Sequence, residues 1–165
     1  MNRFILLLTC TMVAIGCGGG SGNNAAGPDP QAQTIRIGMQ TELADLWEQF
    51  GLPFERSAQL AIDEINSSGG VLGRQLQLVS LHAAPDAAMV TANAATLIDT
   101  GVVAIIGPAF SEIYIDVAKQ VTIPGGMLLI SPSVTSPAVS ELPGQGLTWR
   151  TIASDALTGS VAGSY

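Results

Sequence analysis

A chain of 165 residues, 47% hydrophobic and 12% charged, carries enough apolar material for one compact core and lacks the polar, highly charged composition of a disordered polymer. Its formal net charge of -7, with only six scattered Lys and Arg, argues against a phosphate-tracking surface and so against a nucleic-acid partner. The two cysteines, Cys10 and Cys17, both precede the globular part, so neither a disulfide framework nor a thiolate metal site is expected in the fold.

Residues 1–17 combine Arg3, an apolar run from Phe4 to Ile15 and a small-residue exit, the layout of a secretory signal. The run is too short for a membrane span. Its end, Ala14-Ile15-Gly16-Cys17, resembles a bacterial lipobox, which implies a lipidated Cys17 and attachment to a membrane. One acyl chain holds a protein only marginally, so such an anchor would need several. Residues 18–33, GGGSGNNAAGPDPQAQ, have almost no large apolar side chain and read as a flexible tether.

The fold is expected to begin near Thr34. Ile35 to Met39 alternates as a first strand with a polar exit through Gln40, Thr41 and Glu42, and a loop through Gly51 carries Trp47 and Phe50. Phe54 to Ser68 has Ala58, Ala61, Ile62 and Ile65 at helical spacing, opposite Glu55, Gln59 and Asp63, and stops at Gly69-Gly70. Gln75 to Val79 alternates as a second strand. Pro85-Asp86 opens a helix with Val90, Ala94, Leu97 and Ile98 on one face, closed by Gly101.

Val102 to Ser111, VVAIIGPAFS, is a continuous apolar run ending at Gly-Pro, which suits a strand buried on both faces. A third helix over about Glu112 to Thr122, a short strand from Met127 to Ile130 and a fifth strand from Leu147 to Ile152 follow. Ser154 or Asp155 then caps a last helix. Strands alternating with helices of this length predict an α/β fold: a three-layer open parallel sheet with helices on both faces, joined by right-handed crossovers. Ligands bind such sheets beyond the carboxyl ends of the strands, which places the candidate cleft at Gly107 to Ser111.

Catalysis finds no support in these residues. His82, the one histidine, is expected in a surface loop with no cysteine or acidic cluster around it, so it suits neither a metal nor a general base. Asp63-Glu64 are adjacent on a helix and read as a solvated face. Neither a nucleophile elbow nor a Walker A loop is present, so an enzyme is not expected, nor a cofactor or metal.

The pieces IRIG, AIDEINSSGGVLGRQLQLV, VVAIIGP, LLISPSVTSP and WRTIASDALTG, in this order, resemble the leucine/isoleucine/valine-binding family of type I periplasmic solute-binding proteins. The resemblance covers Thr34 to Tyr165. It implies a first lobe over residues 34–152 and the start of a second lobe over 153–165, with the chain truncated before the rest. It further implies an extracytoplasmic protein that captures an amino acid or similar small polar solute between two lobes and delivers it to an ABC permease. A sensor of the same fold feeding a signalling partner is the alternative.

By resemblance, Ser133 and Thr135 of SPSVTSP bind the backbone of an amino acid, and a hydroxyl can serve either a carboxylate or an ammonium. Ser111 joins them at the third helix's N-terminus, whose partial positive charge favours a carboxylate. Phe50 matches an aromatic position that packs on the ligand. Ile113 completes the ligand-binding set, but where relatives show small or hydroxyl residues this chain has Glu112, Ile113 and Tyr114. Ile113 cannot supply a side-chain hydrogen bond, and a cleft-facing Glu112 would repel a carboxylate. Ala44-Asp45 replace a Thr-Gly or Ser-Gly pair, and Leu81-His82 replace an acidic pair. Trp47 could offer a second apolar wall, and Trp149 reads as packing.

Overall fold

The computed structural model describes residues 34–42 and 48–165. Cys10, Cys17, Ala44, Asp45 and Trp47, with the leader and the tether, lie outside the described residues. Five strands form one sheet: β1 (Ile35–Glu42), β2 (Leu76–Ala83), β3 (Ala104–Ile106), β4 (Leu128–Ser131) and β5 (Thr148–Arg150), in the order β2-β1-β3-β4-β5. Every pairing is parallel, with Ile37 opposite both Leu78 and Ala104, Leu129 opposite Ile105, and Trp149 opposite Ile130.

The helices are α1 (Glu48–Ser67), α2 (Ala87–Asp99), α3 (Ser111–Val117), which runs on into a π-helical turn over Ala118–Thr122, and α4 (Asp155–Ala162). The chain moves outward from β1 to β2, then returns past β1 to lay down β3, β4 and β5. With right-handed crossovers that reversal sends α1 to one face and α2 and α3 to the other. The packing agrees: α1 touches β1 and β2, whereas α2 and α3 touch each other.

Most of the core lies on the α2/α3 side. Val90, Ala94 and Leu97 of α2, the face predicted from periodicity, meet Ile105, Leu129, Val117 and Tyr114, all nearly or fully buried. Asp86 caps α2 by accepting a hydrogen bond from the Met89 N–H at 2.7 Å, and Ser154 rather than Asp155 caps α4.

Four expectations change. The helix α1 begins at Glu48, not Phe54, absorbing Gly51 and Pro53, so Phe50 sits in its first turn rather than in a loop. Its buried stripe is narrower than its apolar spacing, because Ile62 is buried while Ala61 and Ile65 are exposed. Only three residues of the central run pair as β3, and Val103 faces outward. His82 belongs to β2, not to a loop, since that strand runs four residues past Val79.

Candidate functional site

The reversal places β1 and β3 side by side with their carboxyl ends opening on the same crevice. Between these ends the backbone must turn sharply. Gly107 does so at φ +93, and a Cβ there would lie 2.0 Å from the Gln40 carbonyl oxygen, so only glycine lets the two segments approach. Its N–H donates to the Ile130 carbonyl at 2.8 Å. The segment is then clamped from β4 and the loop after it. Ser131, fully buried, donates to the Pro108 carbonyl at 2.7 Å, and Ser133 donates to the Ala109 carbonyl at 2.8 Å.

A cavity of about 170 Å³ lies against this clamp. Its apolar walls include Phe50 and Phe54 from α1 and Phe110 from the β3–α3 connection, and its polar edge is Glu42, Ala109 and Ser133. The polar exit of β1 is not solvated. Gln40, Thr41 and Glu42 are 2%, 4% and 2% exposed. Both carboxylate oxygens of Glu42 accept from the Ala109 N–H, at 3.3 and 3.2 Å. Burial pushes the Glu42 carboxyl above its usual range, opposed by the backbone N–H groups of Ala109, Glu42 itself and Phe110.

Of the sequence-derived ligand residues, the structure brings Ser133 and Phe50 together on the cavity. Ser111 and Thr135 stand away from its wall: the Ser111 hydroxyl accepts from the Ser136 N–H at 3.3 Å, and the Thr135 carbonyl accepts from the Asp155 N–H at 2.9 Å. Ile113 is a core residue, 7% exposed among the α2 and α3 side chains, because α3 turns that face toward the sheet. Glu112 is exposed and off the cavity; the carboxylate that meets the cleft is Glu42. The α3 helix has seven residues, and the Ala109 N–H ahead of its N-cap is engaged by Glu42.

His82 sits outside the cavity in a structural link between layers. Its Nδ1 shares a hydrogen bond with the Thr41 hydroxyl at 3.0 Å, and its Nε2 lies 3.6 Å from Glu55 of α1. Trp149 is half exposed, with its indole N–H donating to the Gly146 carbonyl at 2.6 Å. Among the described residues no cluster of three or more His, Cys, Asp or Glu could hold a metal, and no helix is long and apolar enough to cross a membrane.

Sequence reasoning passed over Glu42. The signal was available, since a charged residue at the end of a strand inside a parallel sheet must be paired, solvated or aimed at the crevice.

The periplasmic binding protein family matches residues 34–165. The leucine-, isoleucine-, valine-, threonine- and alanine-binding protein of Pseudomonas aeruginosa is 33% identical over 134 residues, which is 81% of this chain and 35% of that protein. Among solved structures, the isoleucine complex of a branched-chain amino acid transporter substrate-binding protein from Streptococcus pneumoniae superposes with a TM-score of 0.68 at 30% identity, over 74% of this chain and 35% of that one. A leucine complex of an ABC transporter substrate-binding protein from Desulfitobacterium hafniense gives 0.63 at 32% identity, with the same coverage. This chain thus spans 35% of the length of each of these relatives.

Proposed function

The chain belongs to the periplasmic binding protein family, and from that premise we propose that it forms the first lobe of an extracytoplasmic solute-binding protein serving an ABC transporter. The relatives described above are binding proteins, not enzymes. The observation that carries the reading is the cavity at the carboxyl ends of β1, β3 and β4, where a parallel sheet of this topology takes its ligand. On this reading the solute is an amino acid or a similar small molecule with a polar head and an apolar body. Phe50, Phe54 and Phe110 enclose the body, and Glu42 and Ser133 meet the head.

Residues 34–152 form the lobe, and residues 153–165, including α4, begin the crossing toward a second lobe that closes on the solute. Closure follows from the ligand's higher affinity for the closed state. Lipidation of Cys17, with residues 18–33 as tether, would hold the protein at the membrane beside its permease. Two-dimensional amide NMR of the protein, titrated with a panel of amino acids and small amines, tests the reading. Saturable shifts centred on Ala109, Phe110 and Ser133 are expected; a panel that moves no cavity amide contradicts it.

A further inference from the structure

The polar edge of the cavity has a one-sided hydrogen-bonding character. The Glu42 carboxylate can only accept, and it is 2% exposed. The Ser133 hydroxyl directs its single hydrogen to the Ala109 carbonyl at 2.8 Å, which leaves its oxygen as an acceptor toward the cavity. The Ala109 N–H, the backbone donor beside them, is bonded to Glu42. No Lys or Arg stands among the described residues that line the cavity. A ligand carboxylate entering here would meet two acceptors and an engaged donor.

Resting on the solute-binding reading above, we propose that the cavity is specific for the ammonium end of an apolar-bodied amine without a carboxylate beside it, with Glu42 as the counter-ion and specificity-determining residue and Ser133 as the second acceptor. Three features favour that class. A cation restores charge balance to a buried carboxylate to which the described residues offer only N–H groups. An ammonium brings the donors that both acceptors lack. The Phe50, Phe54 and Phe110 side chains supply an apolar body site, and aromatic rings also attract cations. An α-amino acid offers the same ammonium but must place its carboxylate near Glu42, where like charges repel.

The test compares three ligands sharing one branched aliphatic body: isoamylamine, leucine and isocaproate. Each is titrated into the protein and followed by the amide shifts of Ala109, Phe110 and Ser133. Isoamylamine is expected to bind at least about tenfold more tightly than isocaproate, and more tightly than leucine, the scale of one charge-assisted hydrogen bond. Glu42→Gln is expected to erase that order, and Ser133→Ala to weaken the amine severalfold without reversing it. Leucine or isocaproate binding the wild-type cavity as tightly as the amine would overturn the proposal while leaving solute binding intact. An unchanged order in a folded Glu42→Gln variant would overturn it too. If neither these three nor any amino acid moves the cavity amides, the solute-binding reading itself fails. Should Glu42→Gln not fold, the wild-type ranking and Ser133→Ala still decide.

Discussion

Tyr114→Phe isolates one hydroxyl at the junction of three elements. Tyr114 is fully buried on α3, and its oxygen lies 3.0 Å from each of the Leu129 carbonyl, the Trp149 carbonyl and the Trp149 N–H. With one hydrogen it donates to one carbonyl and accepts from the N–H, so it ties β5, an edge strand of the sheet, to β4 and α3. Phenylalanine keeps the ring and removes both bonds, weakening the attachment of an edge strand. At about 1–3 kcal/mol for each of the two groups left poorly paired, the expected loss is about 2–6 kcal/mol. For a urea slope of about 2 kcal/mol/M this lowers the unfolding midpoint by about 1–3 M.

The phenol supplies an internal check. Its pKa is raised from 10.0 to about 12, first by burial, with the Trp149 N–H and the Arg150 charge pulling the other way. A raised pKa means that the folded state holds the proton better. The associated stability is therefore complete below about pH 10 and is lost as pH rises through about 12, a swing of at most about 2.7 kcal/mol. Wild type should lose stability across that window and Tyr114→Phe should lack that component of the slope. Urea melts at neutral pH and between pH 10 and 12 read both effects. A loss under about 0.5 kcal/mol, with unchanged alkaline behaviour, would refute the role given to this hydroxyl.

Glu42→Gln should stabilise the fold at neutral pH and have little effect in acid. The Glu42 carboxyl is shifted up by burial, so its favourable contribution is present below the ordinary carboxyl pKa and fades as pH rises through the folded value; thermal melts at both pH values measure the crossover. Gly107→Ala should destabilise by more than about 2 kcal/mol, since it adds a positive-φ penalty to a 2.0 Å approach on the Gln40 carbonyl. Urea unfolding of that variant with an unshifted midpoint would show that the cavity floor is not so constrained. On the lobe reading, residues 34–165 by themselves should bind a free amino acid only weakly, in the range that amide shifts follow and calorimetry does not, because the contacts of closure are missing; sub-micromolar calorimetric affinity would contradict this.

Much of the fold could be read from periodicity. The face of α2 through Val90, Ala94 and Leu97 and its opening at Asp86 follow from helical spacing and cap chemistry, and the alternation of strands and helices dictated a parallel sheet. The start of α1 did not follow, because Gly51 and Pro53 are local breakers whose unfavourable propensity tertiary packing overrides. Strand order was equally hidden: nothing in hydropathy says that β3 returns to the far side of β1, yet that reversal makes the crevice. The candidate site was legible in part. Ser133 and Phe50 line the cavity, but Ile113 shares the apolar character of a ligand wall and of a core, and only the rotation of α3 distinguishes them. Glu42 read only as part of a polar strand exit because a partner at Ala109, 67 residues away, cannot be seen locally.

That the carboxyl edge of this sheet presents a solute cavity is tested most directly by the amide of Ala109 during a titration with small amines and amino acids. This N–H bonds to Glu42 in the structure, so any ligand head reaching Glu42 must disturb it. A saturable shift of Ala109 is expected, shared with Phe110 and Ser133 and not with distant Leu76. Shifts that are absent, or that centre elsewhere on the sheet, would contradict it.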